Sequence, residues 1–208
     1  MTAEPDAATP VLTAAGEARV HVYATPGAVG LVMLGHGAGG GFAAPDLQTA
    51  TTAATETGWS VALVEQPYRV AGRRAPAPAR QLDAAWTDVA LHLRAGPFAG
   101  LPLVVGGRSS GARVACRTAQ ALGAVGVLCL AFPLQPPGKA ERPSRLPELE
   151  GTGVPTLVVQ GDRDAFGMPP PALDRQVVVV AGDHSLKKDQ AAIADAVRTW
   201  LTGLAPSS

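Results

Sequence analysis

The sequence has no surplus of either charge: 17 Lys and Arg stand against 17 Asp and Glu in 208 residues. Binding to nucleic acid needs Lys and Arg gathered on one face to displace condensed counterions, so this balance argues against such a partner. Cysteine is scarce, with two residues, too few for a disulfide framework. Cys116 and Cys129 read instead as small core residues. No apolar run approaches the roughly 18 residues of a spanning helix. The opening MTAEPDAATP has neither the basic nor the apolar region of an export signal. A cytoplasmic protein with no membrane partner is expected. His, Cys, Asp and Glu nowhere cluster at metal-ligand spacing. With 47% hydrophobic residues, the chain is expected to form one domain that buries roughly 70% of its unfolded surface.

What the chain does have is 24 glycines and 19 prolines, which suits defined turns between short elements. Apolar runs of strand length recur at 29–35, 60–66, 102–107, 124–132, 154–161 and 176–182. Continuous rather than alternating hydrophobicity predicts strands buried on both faces, as in a parallel sheet. Between them lie helical patterns. Leu82, Trp86, Val89 and Leu93 share one stripe before Gly96 and Pro97, and Ile193, Val197, Trp200 and Leu201 share another. After the run at 102–107, Ala112, Ala115, Cys116 and Ala119 form a small-residue stripe that lets a helix lie close to a sheet. The alternating segment 18–26 suits an antiparallel edge strand. Strands alternating with helices predict a three-layer α/β domain with right-handed crossovers. It is placed at 18–203, with 1–17 a flexible leader and 204–208 a tail. Residues 69–80 and 133–153 are Pro-rich and irregular, and both follow a strand, where ligands bind in open α/β sheets.

Gly107-Arg108-Ser109-Ser110-Gly111 is a G-x-S-x-G between an apolar strand run and a small-residue helix, the context of a nucleophile elbow. A phosphate-binding loop would need Lys after its last glycine, and here Ala112 follows. A plain turn with an idle serine is the bland alternative. Gly35-His36-Gly37-Ala38-Gly39-Gly40 fits both a dinucleotide fingerprint and an oxyanion loop. The acid that would bind ribose about 20 residues on is only loosely met by Glu65. Asp162 and Asp164 follow one strand run, and His184 follows the last. The order Ser109, Asp164, His184 is one of the few in which a serine, a base and an orienting acid recur. A serine hydroxyl is a weak nucleophile until a histidine accepts its proton, and the histidine needs a carboxylate to fix its tautomer. Asp164 is preferred and Asp162 is the runner-up; Asp183, next to His184, is badly placed to reach its ring. His21 and His92 are expected at the surface. Arg69, Arg73 and Arg74 are candidates for an anionic substrate group or for a solvated loop face.

In HGAGGG, GGRSSGAR, QGDRDAFG, GDHSLK and EQPYRVAGRRAP, the chain resembles an α/β-hydrolase of the small, lidless, dienelactone-hydrolase-like branch. Within it the motifs are similar to a bacterial group related to a testis-expressed protein and to a subunit of the non-specific-lethal chromatin complex. The resemblance runs from about residue 18 to residue 203 and implies a mostly parallel sheet with helices on both faces and no substantial lid. It implies Ser109 as nucleophile, His184 as general base, Asp164 as its acid, and the N–H groups of Ala38 and Ser110 as the oxyanion hole. The implied activity is hydrolysis of an ester or related acyl bond in a small molecule, with no cofactor or metal. True dienelactone hydrolases use cysteine where this chain has Ser109, and some relatives are known as complex subunits. A silent scaffold that binds a protein or small ligand is therefore the rival expectation.

Overall fold

A computed structural model describes residues 8–138 and 141–205. Eight strands form one sheet: β1 (Thr9–Thr13), β2 (Gly16–Tyr23), β3 (Gly30–Gly35), β4 (Trp59–Glu65), β5 (Leu103–Arg108), β6 (Gly126–Leu130), β7 (Thr156–Gly161) and β8 (Arg175–Val180). Their spatial order is β1-β2-β4-β3-β5-β6-β7-β8. The six strands from β3 to β8 are parallel, while β2 runs antiparallel to both β1 and β4. Each of the six apolar runs coincides with a strand to within a residue or two at its ends. In β3 and β7 every residue is buried, because helices cover both faces.

The pleat sends successive side chains to opposite faces. Leu31 and Met33 of β3 join the core under α3 (Ala79–Ala95), α4 (Ser110–Thr118) and the short α5 (Leu146–Glu150). Val32 and Leu34 join the core under α1 (Pro45–Glu56) and α6 (Gln190–Leu204). A one-turn helix, α2 (Pro67–Val70), follows β4. The expected stripes face these cores: Leu82, Trp86, Val89 and Leu93 on α3, Ala112, Ala115 and Cys116 on α4 with Ala119 just beyond it, and Ile193, Val197 and Leu201 on α6, with Trp200 partly buried beside them. Asp189 caps α6 by accepting the Ala192 N–H at 3.1 Å, and Pro45 supplies a fixed φ at the start of α1.

Four expectations change. Within 1–17, set aside as a leader, the chain already forms β1 and the start of β2, so the sheet begins at Thr9; residues 1–7 lie outside the described residues. The segment at 18–26 is not an edge, because β1 pairs along its outer side from Thr9 opposite Val20 to Thr13 opposite Gly16. Residues 133–153 are not wholly irregular, since α5 packs Leu149 into the core. Of the tail, α6 continues to Leu204, and 206–208 lie outside the described residues. The connection from β6 to β7 holds no helix but α5 among its described residues, and no lid domain interrupts the sheet.

Candidate functional site

Three parallel strands end beside one another's loops, and each loop delivers one polar group. Ser109 stands just past β5 and immediately before α4, with φ 51° and ψ −106°. This left-handed conformation costs a non-glycine residue about 1–3 kcal/mol and persists only where the surroundings enforce it. Here the Ser109 N–H is held by the Leu130 carbonyl of β6 at 2.9 Å. The flanking glycines follow from the same crowding. A Cβ on either Gly107 or Gly111 would lie 2.3 Å from the Gly35 carbonyl oxygen.

The His184 loop follows β8. Its Nδ1 lies 2.8 Å from Asp164 Oδ2 and its Nε2 lies 2.9 Å from Ser109 Oγ. An ionised carboxylate only accepts, so Nδ1 carries the proton, and Nε2 is left to accept from the serine hydroxyl. The Asp164 side chain is fully buried and well partnered. Its Oδ2 also accepts from Gln160 Nε2 at 2.8 Å, and its Oδ1 accepts the Phe166 N–H at 2.8 Å. The Phe166 ring lies over the imidazole with centroids 4.2 Å apart. Asp162, the alternative carboxylate, turns away: its Oδ1 accepts the Gly182 N–H at 2.7 Å and its side chain is half exposed. Asp183 accepts from Ser185, backbone and hydroxyl, and these bonds hold its carboxyl below the usual range.

Ser110 is the first residue of α4, so its N–H is among the first-turn amides that have no intrahelical acceptor. Ala38 lies in the turn after β3. The carbonyl of its preceding peptide unit, Gly37 O, accepts from His36 Nδ1–H at 2.8 Å and from the Gly40 N–H at 3.3 Å. Because the peptide is planar and trans, the Ala38 N–H points the opposite way from that carbonyl. The Ala38 carbonyl accepts from the Tyr68 hydroxyl at 3.0 Å. His36 itself is buried, and its Nε2 accepts the Gln66 N–H at 3.1 Å, which leaves the ring proton on Nδ1. Burial lowers its pKa, so the ring stays neutral and able to accept.

The remaining candidates separate plainly. His92 is exposed, but His21 is buried, stacked on Phe42 with centroids 3.7 Å apart and 3.0 Å from Glu65 Oε2, because β2 is an interior strand. Glu65, considered as a ribose acid, is thereby engaged. Cys116 and Cys129 are buried thiols with sulfurs 3.5 Å apart, and burial pushes the Cys129 thiol well up, away from the reactive thiolate. Arg69 is half-buried, and Arg73 and Arg74 are exposed. Among the described residues no group of three His, Cys, Asp or Glu is placed to hold a metal ion. A groove of about 790 Å³ lies at the other end of the sheet, between Val20, Val22 and Phe98; His92 lines it, and it touches none of Ser109, Asp164 and His184.

Sequence patterns missed Gln160, Arg108, Tyr68 and Phe166. Gln160 had a signal, since it is the single polar side chain in the apolar run Leu157–Gln160; the others had none beyond adjacency to a motif.

A family model described as an alpha/beta hydrolase domain matches residues 28–200. Among solved structures, a serine hydrolase without a lid from Xanthomonas campestris is 18% identical, with TM-score 0.78, covering 100% of this chain and 98% of that one. Est1E from Butyrivibrio proteoclasticus is 12% identical, with TM-score 0.78 and coverage of 96% and 99%. A dienelactone hydrolase from Anabaena variabilis is 16% identical, with TM-score 0.71 and coverage of 97% of each chain. No curated protein matches the sequence at a significant level.

Proposed function

The chain belongs to the alpha/beta hydrolase family, and from that premise we propose that it is a serine hydrolase that cleaves a small ester or related acyl bond through an acyl-enzyme. The observation that carries this reading is the hydrogen-bonded series from Asp164 through His184 to Ser109. Ser109 Oγ attacks the acyl carbon while His184 Nε2 takes its proton, and buried Asp164 stabilises the imidazolium. The oxyanion forms against the N–H groups of Ser110 and Ala38, the first a helix N-terminal amide where negative charge is favoured. His184 then protonates the leaving alcohol. A water molecule gives its proton to His184 and attacks the acyl-enzyme, which releases the acid and restores Ser109.

The motif similarity, GGRSSGAR above all, supports placing the chain in the lidless branch with the testis-expressed and non-specific-lethal relatives. With Ser109 half-buried and the His184 side chain 22% exposed, small or surface-presented esters fit the reading. A fluorophosphonate probe is expected to label Ser109, and Ser109→Ala is expected to abolish turnover of short p-nitrophenyl esters, a loss of at least about 10³-fold. A folded protein that the probe does not label would favour a binding scaffold; unchanged turnover in Ser109→Ala would remove Ser109 as nucleophile.

A further inference from the structure

Arg108 occupies the variable position between Gly107 and the strained Ser109, so its backbone moves with the nucleophile. Its guanidinium reaches three other parts of the site. Nε lies 2.9 Å from Asp46 Oδ2, in the first turn of α1. Nη2 donates to the His184 carbonyl at 2.9 Å. Nη1 lies over Gly37, where an added Cβ would meet it at 2.8 Å.

Two features make this more than a surface ion pair. The Asp46 side chain is fully buried, and Arg108 is its one cationic partner among the described residues. Burial pushes the Asp46 carboxyl up, and the guanidinium opposes that push. Apolar residues at both positions together would remove this burden, and such paired replacements are often neutral or stabilising, whereas removing one partner alone strands a buried charge. The second feature is distance. In the sheet, β8 lies three strands from β5, a separation of roughly 14 Å at ordinary strand spacing. The histidine loop must cross that span, and inside it the Arg108–carbonyl bond ties its backbone to the nucleophile strand. Titratable groups on the loops that Arg108 joins include Asp164, at His184 Nδ1, and His36, kept neutral by burial.

We propose that Arg108 is a positioning residue: paired with Asp46, its planar fork holds the His184 loop and the Gly37–Ala38 turn in register with Ser109. The proposal rests on the serine-hydrolase reading for its effect on rate, but its geometry is readable without turnover. A fork serves three directions at once, whereas the lysine ammonium is a point charge that can neutralise Asp46 without reaching the carbonyl as well. Arg108→Lys therefore separates charge balance from positioning.

The test compares wild type with Arg108→Lys, Arg108→Gln and the near-isosteric Asp46→Asn. The readouts are Tm, kcat and KM on p-nitrophenyl acetate, and the downfield proton resonance of the His184 Nδ1–H bonded to Asp164. Arg108→Lys is expected to keep most of the wild-type Tm yet lose kcat by about 10²-fold, as a misplaced reacting group does. KM should stay within about twofold, and the resonance should broaden or vanish by exchange with water. Asp46→Asn is expected to show the same split with a smaller loss. If kcat instead tracks Tm across the three variants, Arg108 only balances a buried charge, and the proposal is overturned. Folded Arg108 variants that retain the resonance, or a wild type that lacks it, overturn it as well. A wild type that shows the resonance but is inert to the fluorophosphonate probe removes the hydrolase reading instead, and the resonance in the variants still decides the clamp.

Discussion

The two outer glycines of the G-x-S-x-G are required by one atom. The Gly35 carbonyl oxygen of β3 leaves no space for a Cβ at Gly107 or Gly111, which lets β5 turn sharply into α4 and lift Ser109 out of the sheet. Gly111→Ala, at the start of α4, is expected to cost about 1–3 kcal/mol through overpacking against backbone. In a domain of this size that lowers Tm by roughly 2–12 °C, readable by thermal melts. A melt unchanged from wild type would mean that the elbow is looser than the distance of 2.3 Å implies. Residue spacing made the serine and both glycines legible, because the motif is local. Gln160 and Phe166 were not legible as supports of Asp164, since their bonds to that carboxylate depend on how the chain turns after β7.

Among the elements, the turn after β3 depends on a histidine whose neutrality is structural. His36 donates from Nδ1 to Gly37 and accepts at Nε2 from Gln66, so a second ring proton would remove the acceptor. Its pKa is lowered by burial, so below its ordinary value of 6.5 the unfolded chain binds a proton that the folded chain does not. Stability from this group is therefore present above about pH 6.5 and declines as pH falls toward the lowered native value. His36→Gln is expected to make the fall in Tm between about pH 6.5 and 5 shallower than in wild type. Parallel slopes would show that His36 carries no such linkage. Periodicity located α3 and α6 because their stripes are long. It did not place β2 correctly. Alternation reports which residues of a strand are covered, and it cannot report that β1 lies along its outer side.

On the scale of the whole molecule, β1 closes one flank of the sheet, and α3 packs against it. Deleting residues through Thr13 would expose the backbone of β2 as an unpaired edge and uncover Val20, a ready template for association with another chain. The truncated protein is expected to melt lower and to elute as larger species on size exclusion, whereas a monomer with the wild-type Tm would show β1 to be dispensable. Several properties were set by the sequence alone: parallel strands from continuous apolar runs, the sharp turn at Ser109 from glycine spacing, and the chain order of Ser109, Asp164 and His184. Each depends on residues close in the chain or on periodicity, which survive without knowledge of the fold. Only the tertiary structure set Asp164 rather than Asp162 against the His184 ring, buried His21, and brought Arg108 to Asp46 and to the His184 carbonyl. Those outcomes depend on side chains that meet across strands and loops tens of residues apart, and in such contacts burial and hydrogen-bond direction, not spacing, select the partner.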